Sequence, residues 1–479
     1  MEVTHIQQCY TSQSEETYRD LYCGLIASSE TLTPSHVKAV MRLPLQSASP
    51  AIIDLFTSFL VELIKKGSHS ALLCKLMMES IGRTASNVSD KDSPAITLVK
   101  QYAAIMSKLL NEDTALIKGA SPVFKTCCPY RTRPFEALAT YIDSLLLIGL
   151  EASCLENVLG AIFTIFLEID GEAQTSEDPM TLKLESLIER FLLFIENACD
   201  FLDLTEFVLN CYEELLLRVH RPKVTQSVFF YFFAKDGNFG ELFIKRNLQI
   251  LFNRHVDNFR RKNACIFVCS FLRRAKFISG NVCLHTVRYL LEFLESGNCK
   301  EIHLEISKEI LKTFVTRQFR AQPVWLKNFA EILGNFSGKF DEAELQAALR
   351  VPAFSNSSPV SSVLQRNLAA KKFPEISDSQ FCPFGVKLMW ICVPLLFTCE
   401  IDEPDDFEDS EIFGNFSRKF SAFDEALING KSPAFRPLAD ELFTDEKFPD
   451  FSIETPSNAM NPVLSRILQS KAFKSVDSF

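Results

Sequence analysis

Glycine and proline are scarce in this chain, 16 and 21 of 479 residues, too few for an all-β protein with many tight turns. No apolar run is long enough to cross a bilayer; the longest candidate, Val386 to Phe397 with its flanks, falls short of the roughly 20 residues required. The opening MEVTHIQQCYTSQSEE lacks the basic-then-apolar order of a signal peptide, so the expectation is a soluble intracellular protein with no membrane contact. An excess of positive charge is missing too. The net charge is −10, with a pI near 5.4, whereas phosphate-binding proteins carry a basic face. Strong direct nucleic-acid binding is therefore not expected, and the partners should be proteins.

Motifs of chemistry are equally absent. There is no G-x-x-x-x-G-K-[ST], no H-E-x-x-H and no G-x-S-x-G. The seven histidines, at 5, 36, 69, 220, 255, 285 and 303, are scattered. Fifteen cysteines include no C-x-x-C pair, and they read as reduced core thiols rather than a disulfide framework. Cys265 and Cys269 lie one helical turn apart; with no second ligand pair, core packing is the better reading than a metal site. No enzyme, no metal and no cofactor is expected.

What the chain does have is apolar residues in abundance: 47% hydrophobic, with 43 Phe. That is enough for a continuous core and excludes disorder throughout. At 479 residues the chain exceeds what one compact core usually serves. Leu184, Leu187, Ile188, Phe191, Leu192 and Ile195 follow the i, i+3, i+4, i+7 spacing of a helix, with Glu185, Glu189 and Glu196 opposite. Similar segments lie near 51–66, 135–149, 152–168, 203–218, 222–234, 240–255, 258–273, 280–296 and 301–317. Breaks at Gly67-Ser68-His69, Gly171-Glu172-Ala173 and Asp236-Gly237-Asn238 suit helix–helix turns. Helices of this length in succession predict an all-α, HEAT-like helical-repeat solenoid.

The organisation expected is a flexible N-terminus over 1–20, a helical-repeat domain over 21–400, and an acidic then Phe/Ser-rich extension over 401–479, partly helical or disordered. One segment recurs. Glu331 to Phe340, EILGNFSGKF, returns as EIFGNFSRKF at Glu411 to Phe420, and a Pro-Ala-Phe follows each, from Pro352 and Pro433. A local duplication explains this better than chance likeness between two helix corners.

The densest basic stretch holds Lys245, Arg246, Arg254, Arg260, Arg261, Lys262, Arg273, Arg274 and Lys276. In an acidic chain it marks two or three successive helices. Two readings stand: solvation of outer helix faces, or a contact surface on which charge aids encounter with an acidic partner.

Residues 228–294 contain Ser270-Phe271-Leu272-Arg273-Arg274-Ala275-Lys276-Phe277 after a short apolar helix. This resembles the S-F-L-A-R-A-K-F core of the TIF-IA family of RNA polymerase I initiation factors, with Arg273 where the family usually has Ala. Met41-Arg42-Leu43-Pro44, the helix pair over 141–170, and Phe381-Cys382-Pro383-Phe384-Gly385-Val386-Lys387-Leu388 resemble further family segments in the same order. The likeness spans roughly 25–400 and is weakest near 317–380. Gly385-Val386 replaces an Asp-Pro, MWICVPLL replaces a basic run, and GEAQTSEDPM stands where a long acidic insertion is usual.

The resemblance implies a HEAT-repeat protein of the nucleus and nucleolus. Such a protein binds the stalk region of RNA polymerase I and bridges the enzyme to the promoter-bound core factor for ribosomal RNA synthesis. It also implies control by phosphorylation, and self-association as a homodimer when free. Arg260, Arg261, Arg273, Arg274 and Lys276 are the residues expected to meet a partner. Ser68, Ser70, Thr175 and Ser176 are the candidate phosphorylation positions. The alternative is a helical-repeat nuclear transport receptor, which would bind a small GTPase and cargo and owe nothing to the Ser270–Phe277 block.

Overall fold

The structure, a computed structural model, describes Ile6 and residues 14–369, apart from 44–48, 68, 173–178, 199–200, 220–221, 223, 236, 276, 297–299, 318–322, 336–339, 341, 352–353 and 355–358. The extension over 401–479, with the second copy of the repeated segment, lies outside the described residues, as do Val386 to Phe397 and the Phe381–Leu388 motif. Among the described residues every element is helical and there is no strand. They fall into two compact units that divide between Asp200 and Phe201.

Unit 1 holds α1 (Glu15–Ala27), α2 (Pro34–Val40), α3 (Pro50–Lys65), α4 (Ser70–Ala85), α5 (Pro94–Glu112), α6 (Ala115–Thr126), α7 (Phe135–Glu151), α8 (Leu155–Glu172) and α9 (Pro179–Ala198). Proline starts α2, α3, α5 and α9 at their first turns, where a missing N–H costs nothing and φ is already helical. Odd helices pack on odd (α1 on α3, α3 on α5, α5 on α7, α7 on α9) and even on even (α2 on α4, α4 on α6, α6 on α8). Two rows of helices result, the layout of a helical repeat, in which each pair covers the apolar face of its neighbour. Gly67 at φ 66° and His69 at φ 65° make the turn before α4; the His69 ring reaches the Leu32 carbonyl at 3.0 Å, which offsets part of the left-handed strain.

Unit 2 holds α10 (Phe201–Glu214), a 3₁₀ turn (Leu216–Arg218), α11 (Gln226–Lys235), α12 (Gly237–Phe252), α13 (Asn258–Arg274), α14 (Gly280–Glu295), α15 (Lys300–Arg317), α16 (Pro323–Gly334), α17 (Glu342–Leu349) and α18 (Pro359–Ala369). The two-row pattern returns: α13 on α15 and α15 on α17, against α12 on α14, α14 on α16 and α16 on α18. Its core is aromatic. Buried Tyr212 meets the rings of Phe243 at 5.0 Å, Phe267 at 5.4 Å and Phe229 at 6.0 Å, all edge-on, the geometry that ring quadrupoles favour. Its hydroxyl donates to Asn247 Oδ1 at 2.7 Å, and Asn247 Nδ2 donates to the Phe243 carbonyl at 2.8 Å, so the one polar pair in this cluster is satisfied.

The expected helices are present with shifted ends. Helix α1 begins at Glu15, inside the stretch expected to be flexible, and Tyr18 is buried there and stacks on Tyr22 at 6.4 Å. The helix expected over 152–168 runs to Glu172, through the Gly171 break; a lone glycine at a helix end is tolerated.

Candidate partner-binding surface

The basic run of unit 2 sits on α12 and α13, and the helices around it supply a carboxylate for most of its cations. Arg246 pairs with Glu206 on α10 and lies 3.9 Å from Glu213. The half-buried Arg260 guanidinium donates to the Glu213 carbonyl at 3.3 Å and stands 3.9 Å from Glu214. Lys262 stands 3.9 Å from Glu305 on α15. Asp257 caps α13 by accepting from the Arg260 N–H at 2.9 Å, where a carboxylate also meets the positive end of the helix dipole.

Arg261 and Arg273 point inward, and this corrects the expectation of a five-residue contact surface. Arg261 is 3% exposed; its Nε donates to the Leu251 carbonyl at 2.8 Å and its guanidinium lies 5.4 Å over the Phe293 ring, a cation–π position. Arg273 is 5% exposed and its Nη1 donates to Glu309 Oε2 at 2.7 Å, with Glu309 equally buried on α15. Burial alone would raise the Glu309 carboxyl, but Arg273 and Lys312 overcome this and hold it below the ordinary carboxylate range. Both arginines carry charge for internal reasons: one ties α13 to the end of α12, the other ties α13 to α15. Arg274 is half-buried and engaged, and Lys276 lies outside the described residues. The rest of the motif is core: Ser270, Phe271, Leu272 and Ala275 are fully buried, and Phe277 meets Phe271 at 5.7 Å and Phe230 at 5.9 Å.

Among the phosphorylation candidates Ser68, Thr175 and Ser176 lie outside the described residues. Ser70 is half-buried at the first position of α4. Nine of the cysteines are described, all free thiols. Cys265 and Cys269 face each other at 4.0 Å inside α13, and the neighbouring thiol together with burial pushes the Cys265 thiol up. No group of three or more metal-binding side chains occurs among the described residues, and no described helix is long and apolar enough to cross a membrane.

Sequence reasoning missed a group of half-buried acids. Glu241, on α12, is pushed up to about 7 by burial. Its ordinary value is 4.5, so between these values the folded state holds a proton that the unfolded chain releases. Stability from this group is full below pH 4.5 and is lost as pH rises through 7. Glu241→Gln is expected to raise the melting temperature at pH 8 and leave it nearly unchanged at pH 5. Calorimetric scans at both pH values check this; an equal shift at both would contradict it.

The comparisons with known proteins bear on the same block. The family model for the RNA polymerase I specific transcription initiation factor RRN3 matches residues 196–320, nearly all of them in unit 2. Among curated proteins none matches the chain. Among solved structures, the chain is similar to one titled "Crystal Structure of RNA Polymerase I Transcription Initiation Factor Rrn3", at TM-score 0.58 and 10% identity, covering 81% of this chain and 90% of that one. At that identity the likeness speaks for the all-helical fold. Within the chain, the block over 196–320 is what resembles the RRN3 family of RNA polymerase I specific transcription initiation factors.

Proposed function

We propose that the protein acts without catalysis as an adaptor in ribosomal RNA transcription. It binds RNA polymerase I at the stalk region and bridges the enzyme to the promoter-bound core factor, working in the nucleus and nucleolus. The observation that carries this reading is the family match over 196–320. The two-row helical units support it, since stacked helices offer stiff, extended surfaces with separate patches for separate partners. Self-association of the free protein and control by phosphate belong to the same reading. Ser70 heads α4, so a phosphate there would sit at a helix N-terminus, where about −1.5 to −2 of charge is stabilised. Of the basic residues, Arg260, Arg274 and Lys276 stay as contact candidates, while Arg261 and Arg273 hold the unit together.

Affinity purification of the tagged protein from its native cells, with the co-purifying subunits identified, tests the proposal. Recovery of RNA polymerase I with its stalk is expected. A small GTPase with mixed cargo in its place would overturn the assignment and support a transport receptor.

A further inference from the structure

The recurrent segment, Glu331 to Phe340 and again Glu411 to Phe420, has no part in the function proposed above. In unit 2 the first copy closes α16 and leads into α17, and Phe340 between them is buried. The Pro-Ala-Phe that follows brings Phe354, also fully buried, to the Phe314 ring of α15 at 5.1 Å and the Phe329 ring of α16 at 6.5 Å. Phe314 and Phe329 stack on each other at 5.8 Å, so the first copy ends in an aromatic seat. Two successive turns carry the chain into it: the Val351 N–H donates to the Ala348 carbonyl at 3.0 Å, and the Phe354 N–H to the Val351 carbonyl at 2.9 Å.

The second copy repeats both anchors: Phe420 stands for Phe340, and Phe435 for Phe354. Between them Asp341-Glu342-Ala343, where α17 starts, returns as Asp424-Glu425-Ala426. A further repeat could stack beyond α18 only on an apolar face. Among the described residues of α17 and α18 no large apolar side chain is exposed. Ser362, Gln365 and Arg366 lie on the outside of α18, the polar surface of a repeat that ends an array. The seat whose occupant the second copy matches is therefore the one that the first copy fills. Length does not keep it away: about 40 residues separate Ala369 from Glu411, and a coil of that length spans on the order of 35 Å. The first copy holds the advantage at rest, because it is joined directly to α16 and α18, and short connections cost less to close.

We propose that Phe420 to Phe435 is a spare for Phe340 to Phe354 in the same chain, taking the seat beside Phe314 and Phe329 when the first copy leaves it. The exchange releases the connection between Gly334 and Pro359 while the seat stays filled. It also draws the acidic stretch from Asp402 to Asp409 to this end of unit 2. This goes beyond the polymerase reading and does not depend on it. The test is calorimetry on four full-length chains: the parent, Phe340→Ala/Phe354→Ala, Phe420→Ala/Phe435→Ala, and the fourfold variant. With no spare left, losing the buried rings should lower the melting temperature of the fourfold variant by more than about 10 °C. Phe340→Ala/Phe354→Ala should fall less than half as far, because the second copy refills the seat. Phe420→Ala/Phe435→Ala should stay within about 2 °C of the parent. A first-copy variant that falls as far as the fourfold one, or fails to fold, overturns the proposal. So does a second-copy variant that falls as far as the first-copy one, since Phe420 and Phe435 would then have a seat of their own. Rescue that is lost on dilution, with a dimer on size-exclusion chromatography, overturns exchange within one chain.

Discussion

Replacing Arg273 with alanine is expected to destabilise unit 2 by about 3–5 kcal/mol, the magnitude found when one member of a buried ion pair is removed. The loss arises because Glu309 would remain buried in α15 with Lys312, 3.1 Å away, as its one paired cation among the described residues. Attraction between the two groups is not the whole of that figure, since bringing both out of water already works against folding. The double variant Arg273→Met/Glu309→Leu, which fills the same space with apolar atoms, should therefore recover most of the loss. Denaturant unfolding of the two variants and the parent checks this. A single variant losing less than about 1 kcal/mol, the range of an exposed pair, would contradict the placement of this pair in the core. The result also bears on any binding experiment: reversing Arg273 would weaken partner binding by unfolding the block, not by removing a contact.

Gly82→Ala is the second large effect. A Cβ at this position would lie 1.9 Å from the Cys127 carbonyl oxygen, a backbone atom that cannot swing away. Overpacking typically costs about 1–3 kcal/mol and more where backbone must move, so the expected loss is at the upper end, about 3 kcal/mol. For a unit of this size roughly 2–4 °C of melting temperature goes with each kcal/mol. Gly119 in α6 provides the contrast, because nothing lies within 4 Å of its Cβ position. Gly119→Ala should stabilise by about 0.5–1 kcal/mol, the helix-interior penalty of glycine. Melting curves for both variants give the comparison; equal effects would mean that α4 and α6 do not approach so closely.

Much of the fold is legible in the sequence because unit 1 helices alternate apolar and polar faces. In α9, Leu184, Leu187, Ile188, Phe191 and Leu192 are buried as their spacing predicts, and Leu182 and Leu193 are left outside. The orientation of α13 is not legible. From Asn263 to Arg273 every side chain is buried, so no polar stripe marks an outer face. Charge is a poor guide there too: Arg273 looks like a surface residue until Glu309, 36 positions later, is brought beside it. The Tyr130 loop, between α6 and α7, was passed over for a related reason. Its signal is a lysine, Lys183, 50 and 52 positions from the two loop residues whose carbonyls it holds, and local spacing does not reveal such a contact. Division into two units at Asp200 and Phe201 likewise leaves no glycine- or proline-rich linker to read. Pairings across long stretches of chain, rather than propensity, decide all three.

The most direct measurement of the central claim is the binding of the purified full chain to purified RNA polymerases I, II and III, compared side by side at physiological salt. A stable complex with polymerase I alone is expected. Arg260→Glu/Arg274→Glu should weaken that complex while the melting temperature falls far less than for Arg273→Ala. Equal binding to all three polymerases, or none to polymerase I, would contradict it.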